Sequence, residues 1–324
     1  MTITENIFNK VLIEPIENGA DHLFVVAGYA TATMAYHHLS RLPAGIKVNL
    51  IIGMCSKDGI GKGNLNSFRK LVTTDYIGRF NCRLVHQLPP VHSKTYAWYR
   101  GTQPCKGFSG SANYTQNAFG PGQKELMVAH DATGAYNYYQ ELYDSTIDCL
   151  SSEIESLISL YNESEYQANT VASEQGISYQ DNNDVDNSVT VSHLQKVKIS
   201  FLDRYGDLPA RSGLNWGQRP GREPNQAYIK LTSEIYNSDF FPPVGKYFNI
   251  VTEDNCSFVA VRSQDNGKAI ETPYNNSILG KYFRKRLHLS QGDLVKIEHL
   301  VAFGRTDVEI YKIDEENYYL NFST

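Results

Sequence analysis

Apolar positions in the first 130 residues fall into short compact runs separated by stretches with helical spacing. The runs HLFVVAGYA (22–30), KVNLIIGM (47–54), CRLVHQL (82–88), SKTYAWYR (93–100), KGFSGSA (106–112) and ELMVAHD (125–131) predict six strands. The segments 31–42 and 64–75 carry the three-and-four spacing of helices. Further on, Tyr136, Tyr139, Leu142, Tyr143, Ile147, Leu150, Ile154, Leu157 and Ile158 predict one long helix over about 133–163. Strands alternating with helices specify an α/β domain, a mixed sheet flanked by helices.

Residues 164–189 change character. They are acidic, rich in Ser, Asn and Gln, and poor in large apolar side chains, which marks a linker. Beyond it the pattern is mainly β. Strands are expected over 190–202, 226–231, 247–253, 257–263, 293–300 and 307–313, with a helix over 276–287 capped by Asn276 or Ser277. The expected layout is an α/β domain over 1–165, a linker over 166–189 and a barrel-like, mainly-β domain over 190–324.

A chain of 324 residues, 41% hydrophobic and 20% charged, suffices for two separate cores. Its five cysteines, Cys55, Cys82, Cys105, Cys149 and Cys256, are scattered without a Cys-x-x-Cys pair. Reduced thiols and a cytoplasmic location are therefore expected, with no structural metal site. No run approaches a membrane span, and the first residues lack a signal pattern. The net charge of -5 hides an uneven distribution. Residues 150–189 carry eight acidic and no basic side chains, whereas 1–149 and 190–324 are close to neutral. Overall charge thus leaves a nucleic-acid partner open.

The segment VHSKTYAWYRGTQPCKGFSGSANYTQNAFGPGQKE (91–125) concentrates the candidate chemistry. A phosphodiester needs fixed cations and donors for its non-bridging oxygens, an in-line nucleophile, and a proton for the leaving oxygen. His92 can be nucleophile or general acid. Lys94 shares its face if the segment is a strand. Ser109, Ser111 and Asn113 are alternate residues and share a face if extended, and Glu125 can orient an imidazole.

HSK, then GSAN, then QKE resembles the phospholipase D superfamily signature, His-x-Lys, Gly-Ser-x-Asn and a later acidic residue. The resemblance covers most of 20–150. It implies a metal-independent phosphodiesterase with His92 as nucleophile through a covalent phosphohistidine and a second histidine as acid. Lys94 and Asn113 would hold the phosphate, Ser109 or Ser111 would add a donor, and Glu125 would orient a histidine. Two departures stand out. TYAWYR after the lysine lacks the Asp of many members, and the chain carries one His-x-Lys where the family's site uses two. The second departure implies a homodimer with a shared site.

The segment ARSGLNWGQRPGREPNQAYIKL (210–231) is dense in side chains that read base edges or hold phosphates. Arg211, Ser212, Asn215, Trp216, Gln218, Arg219 and Arg222 form one candidate DNA-binding arm. Arg262, Gln264, Asp265, Asn266 and Lys268, within 262–273, form another. The basic helix end 281–287 can touch backbone. Together with LGKYFRKRLHLSQGDLVKIEHL and FGRTDVEIYKI, this half resembles that of type II restriction endonucleases of the NgoFVII-like kind. Those enzymes join a phospholipase D-like nuclease to a DNA-binding pseudobarrel of the plant auxin-response type. The resemblance implies a site-specific endonuclease acting on double-stranded DNA, with no cofactor of its own. Some relatives depend on an ATPase or helicase-like partner. GIGKGN is no Walker loop, so any ATP would be used by such a partner. Two alternatives stay open at this point: a lipid phosphodiesterase, and a DNA-binding module with an inactive nuclease half.

Overall fold

The computed structural model describes residues 2–121, 123–162, 194–254, 256–273 and 275–324. The stretch read as a linker lies outside the described residues. The chain divides into two compact units, Met1–Tyr161 and Asn162–Thr324.

The first unit is built on β1 (Thr2–Ile3), β2 (His22–Ala27), β3 (Lys47–Ile52), β4 (Ile60–Gly61), β5 (Phe80–Val85), β6 (Lys94–Arg100), β7 (Gln103–Gly110), β8 (Met127–His130), β9 (Thr146–Asp148) and β10 (Leu160–Tyr161). Eight of these form one sheet in the order β1-β8-β7-β6-β2-β3-β5-β9, and β4 pairs with β10. The strands β2, β3 and β5 run parallel, while β6, β7, β8 and β9 join antiparallel. The main helices are α1 (Ala32–Leu39), α2 (Lys62–Lys70) and α3 (Ala132–Leu142). Thr31 caps α1 through Met34 N–H, and Asp131 caps α3 through Thr133 N–H.

Both sheet faces are covered, which is why the central strands read as unbroken apolar runs. Phe24 and Val26, opposite Ala97 and Thr95, face α3, where Tyr136 and Tyr139 pack edge-on against Phe24. The other face carries Tyr96 and Trp98, both fully buried. The Trp98 indole donates to Val11 carbonyl at 2.7 Å, fixing the N-terminal turn Asn9–Ile13 on the sheet. Truncating aromatics buried this way typically costs roughly 3–5 kcal/mol each.

The long helix expected over 133–163 does not form. α3 stops at Leu142, where Ser145 and Thr146 hydroxyls take the Leu142 and Tyr143 carbonyls and give the chain an alternative to another helical turn. Thr146–Asp148 then pairs with β5 as the sheet's edge strand, so the apolar spacing beyond 142 serves β9, a short helix at Ile154–Leu157 and β10. Sheet pairing overrides helical spacing here.

The second unit has a seven-stranded sheet that curls into a nearly closed barrel. Its strands are β11 (Lys196–Ser200), β12 (Ile229–Lys230), β13 (Tyr247–Thr252), β14 (Ser257–Ser263), β15 (Ala269–Glu271), β16 (Asp307–Lys312) and β17 (Asn317–Asn321), in the order β11-β16-β17-β13-β14-β15-β12. Alternate residues, among them Phe248, Ile250, Phe258, Ala260, Val308, Ile310, Tyr318 and Leu320, fill one core with Leu279 and Phe283 of α4 (Ser277–Arg286). The strand expected over 293–300 is a correction. That stretch is a loop leading into α5 (Ile297–Phe303), which ends on left-handed Gly304 at φ 93°. Val295 has its backbone N–H and carbonyl bonded by the Asn215 side chain instead of by a neighbouring strand.

Candidate active site

The nuclease candidates converge where β2 and β3 end and β6 begins. Gly53, after β3, lets the Val91 backbone approach so closely that a Cβ would lie 2.0 Å from Val91 O. Val91 N–H donates to Gly53 carbonyl. Gly28, after β2, does the same for the imidazole, since a Cβ there would meet His92 Cδ2 at 2.7 Å. Two glycines thus clear the floor under His92. Their signal was present in the sequence as a glycine directly after each apolar run.

His92 is exposed, and Lys94 is 8% exposed at the start of β6. Lys94 Nζ lies 2.9 Å from His92 Nε2 and donates to His92 carbonyl at 2.7 Å. An ammonium can only donate, so where Lys94 bonds Nε2 that nitrogen accepts, and its lone pair is free to attack only once Lys94 turns to another acceptor. Burial holds the Lys94 pKa below the ordinary lysine value, and the nearby Glu125 charge opposes that shift.

Asn113 follows β7. Its Oδ1 accepts from Tyr29 N–H at 3.1 Å, which turns the Nδ2 donors away from that backbone contact. Its loop is pinned from beneath. Tyr96 Oη donates to Ala112 carbonyl, and Tyr114 pairs with the Tyr29–Thr31 backbone. Buried His38 meets Tyr114 Oη at 2.8 Å and Leu12 carbonyl at 3.2 Å. Burial pushes the His38 pKa down to about 3, so this imidazole is neutral at working pH. Tyr29 walls the site, edge-on to His92 at 5.8 Å between centroids, with its hydroxyl donating to Asp58 at 2.6 Å. His38, Tyr96, Tyr114, Tyr29 and Asp58 escaped sequence reasoning, because nothing local distinguishes an aromatic that supports a site from one that fills a core.

Ser111 Oγ donates to Glu125, and Leu126 N–H donates to Ser111 Oγ. Within one chain Glu125 therefore meets Ser111 and lies near Lys94, rather than orienting His92. Ser109 is a correction. It stands opposite Thr95 and Val128 on the sheet face away from Lys94, and its Oγ lies 2.7 Å from His130 Nε2. The alternation that linked Ser109 to Asn113 breaks where β7 ends at Gly110. Among the described residues no group of three or more His, Cys, Asp or Glu side chains gathers as a metal site.

In the second unit the arm candidates separate by burial. Arg211, Arg219 and Arg222 are exposed. The Arg222 guanidinium sits 3.9 Å over Trp216 and donates to Gln226, and Arg219 Nε donates to Arg211 carbonyl. Ser212 is half-buried, and Gln218 donates to Pro224 and Gly292 carbonyls. Asn215 is fully buried, bonded to Pro209 and Val295, so it supports the arm instead of facing bases. Arg262 is likewise buried on backbone carbonyls and is corrected in the same sense. Gln264, Asp265 and Asn266 form an exposed tip, with Gln264 bonded to Glu271 and Lys268 paired with Asp265.

A phospholipase D-type fold with His92, Lys94 and Asn113 at its strand ends, followed by a pseudobarrel with two polar arms, defines a DNA nuclease. Two family models match. Residues 5–156 match the NgoFVII restriction endonuclease N-terminal PLD domain, and 189–314 match the NgoFVII C-terminal B3-like DNA-binding domain. The chain belongs to this family of restriction endonucleases and is a phosphodiester hydrolase with DNA as its partner. It is also similar to NucT from Helicobacter pylori, at 16% identity over 46% of this chain and 97% of that one, TM-score 0.33. Nuc from Salmonella typhimurium, a phospholipase D family member, matches at 16% identity over 45% and 93%, TM-score 0.34. No curated protein sequence matches the chain. Among the described residues no helix is long and apolar enough to cross a membrane.

Proposed function

We propose that the chain is a site-specific, metal-independent endonuclease that cuts DNA through a covalent phosphohistidine on His92, at a site completed by a second copy of itself. The observation that carries this reading is the Lys94 ammonium held against His92 Nε2. Lys94, turned from Nε2 onto the phosphate, and Asn113 Nδ2 would hold the non-bridging oxygens while the freed Nε2 lone pair attacks phosphorus in line. The N–P bond forms as the phosphorus–oxygen ester bond breaks, and the leaving oxygen takes a proton from His92 of the second copy. That imidazole, now neutral, removes a proton from the water that attacks phosphorus, which releases the first His92.

Among the described residues His38 is buried and His130 belongs to the other sheet face, so this reading takes the second imidazole from a second copy. Leu126, 43% exposed and next to Glu125 in the chain, offers an apolar side chain to a second copy, whereas Val128, 40% exposed, lies on the other face with Ser109 and His130. The two arms would select the sequence. Any ATP dependence would come from a separate partner, because the chain has no phosphate-binding loop of its own.

Plasmid DNA incubated with the purified chain in EDTA tests the reading. Discrete fragments are the expected result. Cutting that appears only on adding a divalent metal would refute metal independence, and a smear would refute site specificity.

A further inference from the structure

Each candidate arm lies over one buried arginine whose guanidinium is bonded to backbone carbonyls. Arg262, 6% exposed, donates Nε to Gly267, Nη1 to Pro242, and Nη2 to Tyr236 at 2.6 Å and Asn266 at 3.4 Å. Arg284, fully buried, donates Nε to Asp293 at 2.8 Å and Nη1 to Gly280. Its Nη2 reaches the Leu214 and Pro224 carbonyls. A glycine lies against each guanidinium, although the nearest atom to an added Cβ would be Asn225 O at Gly280 (1.8 Å) and Val244 Cγ2 at Gly267 (2.6 Å). A Cβ on Gly267 would lie 2.9 Å from Arg262 Nε, and one on Gly280 would lie 2.9 Å from Arg284 Nη1.

Four of these eight carbonyls belong to the arms, while Tyr236, Pro242, Gly280 and Asp293 anchor the two guanidinium groups to the body of the domain. Leu214 and Pro224 bracket Arg219 and Arg222 on the first arm, while Asn266 and Gly267 belong to the tip of the second. That tip is strained. Gln264 has φ 61° and ψ 175°, a region nearly reserved for glycine, and Asn266 has φ 59°. Such conformations persist only where surrounding contacts over-determine them, and they concentrate at functional sites. The rigid five-donor fork of arginine can hold several carbonyls at once, which a lysine ammonium cannot reproduce.

We propose that Arg262 and Arg284 are positioning residues, each bracing one arm in its DNA-reading geometry before DNA arrives. This rests on the arms being the DNA-contacting surface. Pre-set arms need no ordering on binding, so more of the contact energy appears as discrimination between sequences.

Two measurements decide it. In the free full-length chain, backbone amide hydrogens of Gly217 and Gly267, which bond Gln226 and Gln264 carbonyls, should already exchange slowly. Exchange at the rate of an unstructured chain, slowed only when duplex DNA is added, would overturn the proposal without any variant. The second measurement uses full-length His92→Ala protein, so that DNA stays intact, to select a consensus from a random-sequence duplex pool. Arg262→Lys and Arg284→Lys, checked as folded by thermal melt, should each lower the ratio of selected to scrambled duplex affinity by about tenfold. They should relax different base positions, whereas affinity for scrambled duplex should barely change. An unchanged ratio in folded variants, or relaxation of the same positions by both, would contradict the braces. If the parent protein selects no consensus, the DNA-reading assignment fails, while the exchange measurement still decides whether the arms are pre-set.

Discussion

Replacing His92 with alanine is expected to abolish DNA cutting and leave duplex binding within about twofold of the parent. The imidazole is exposed and lies against Tyr29, the Gly28 backbone and Lys94, so its removal opens no core cavity. It does remove the atom that would bond to phosphorus. Losing a covalent nucleophile typically costs on the order of 10⁴-fold or more in rate. In a symmetric dimer the same substitution also removes the leaving-group acid, so no intact half remains. Cleavage assays beside gel-shift titrations check both halves of the expectation. Cutting that survives, or binding that is lost in step with cutting, would count against the role given to His92.

Lys94→Met is expected to lower the cutting rate by roughly 10²- to 10³-fold, the range seen when one fixed electrostatic donor is removed from a reacting centre. Stability should move the opposite way or not at all. Lys94 is 8% exposed and its charge is disfavoured by burial, so a methionine of similar shape relieves desolvation while keeping the packing. Lys94→Arg should not restore activity, because the planar guanidinium does not fit the slot that brings Nζ to both His92 Nε2 and His92 carbonyl. Single-turnover rates set beside urea melts separate the effects. A rate loss that simply tracks lowered stability would make Lys94 structural.

Much of the architecture was legible because burial on both faces of a parallel sheet leaves runs such as LFVVA in the chain. Where reading failed, non-local pairing was responsible. The spacing beyond Leu142 suits a helix equally well, and only the free edge of β5 decides that Thr146–Asp148 becomes a strand. In the same way 293–300 suits a strand in the sequence, because nothing local shows that Asn215 already bonds Val295 and that a helix begins at Ile297.

The site was legible as a motif and less so as geometry. His92, Lys94 and Asn113 stand in one small region, but their supports come from segments far away in sequence, including Tyr29 and His38. Ser109 was grouped with Asn113 by counting alternate residues past the point where the strand ends. In the arms, composition marked Arg262 and Asn215 as readers, yet an arginine or asparagine in a polar stretch looks the same whether it points outward or folds beneath its own loop. For Arg262, left-handed backbone at Asn266 and Gly267 makes that difference, and the sequence only hints at it through Asn-Gly.

The most direct test of the phosphohistidine is to catch it. A duplex that the chain cuts is mixed with it in EDTA, quenched in base during the first turnover, digested and analysed by mass spectrometry. A nucleotide or phosphate adduct on His92, stable in base and lost in acid, is the result expected here. Turnover with no adduct on that peptide at any quench time, or turnover that stops on chelation, would contradict the account.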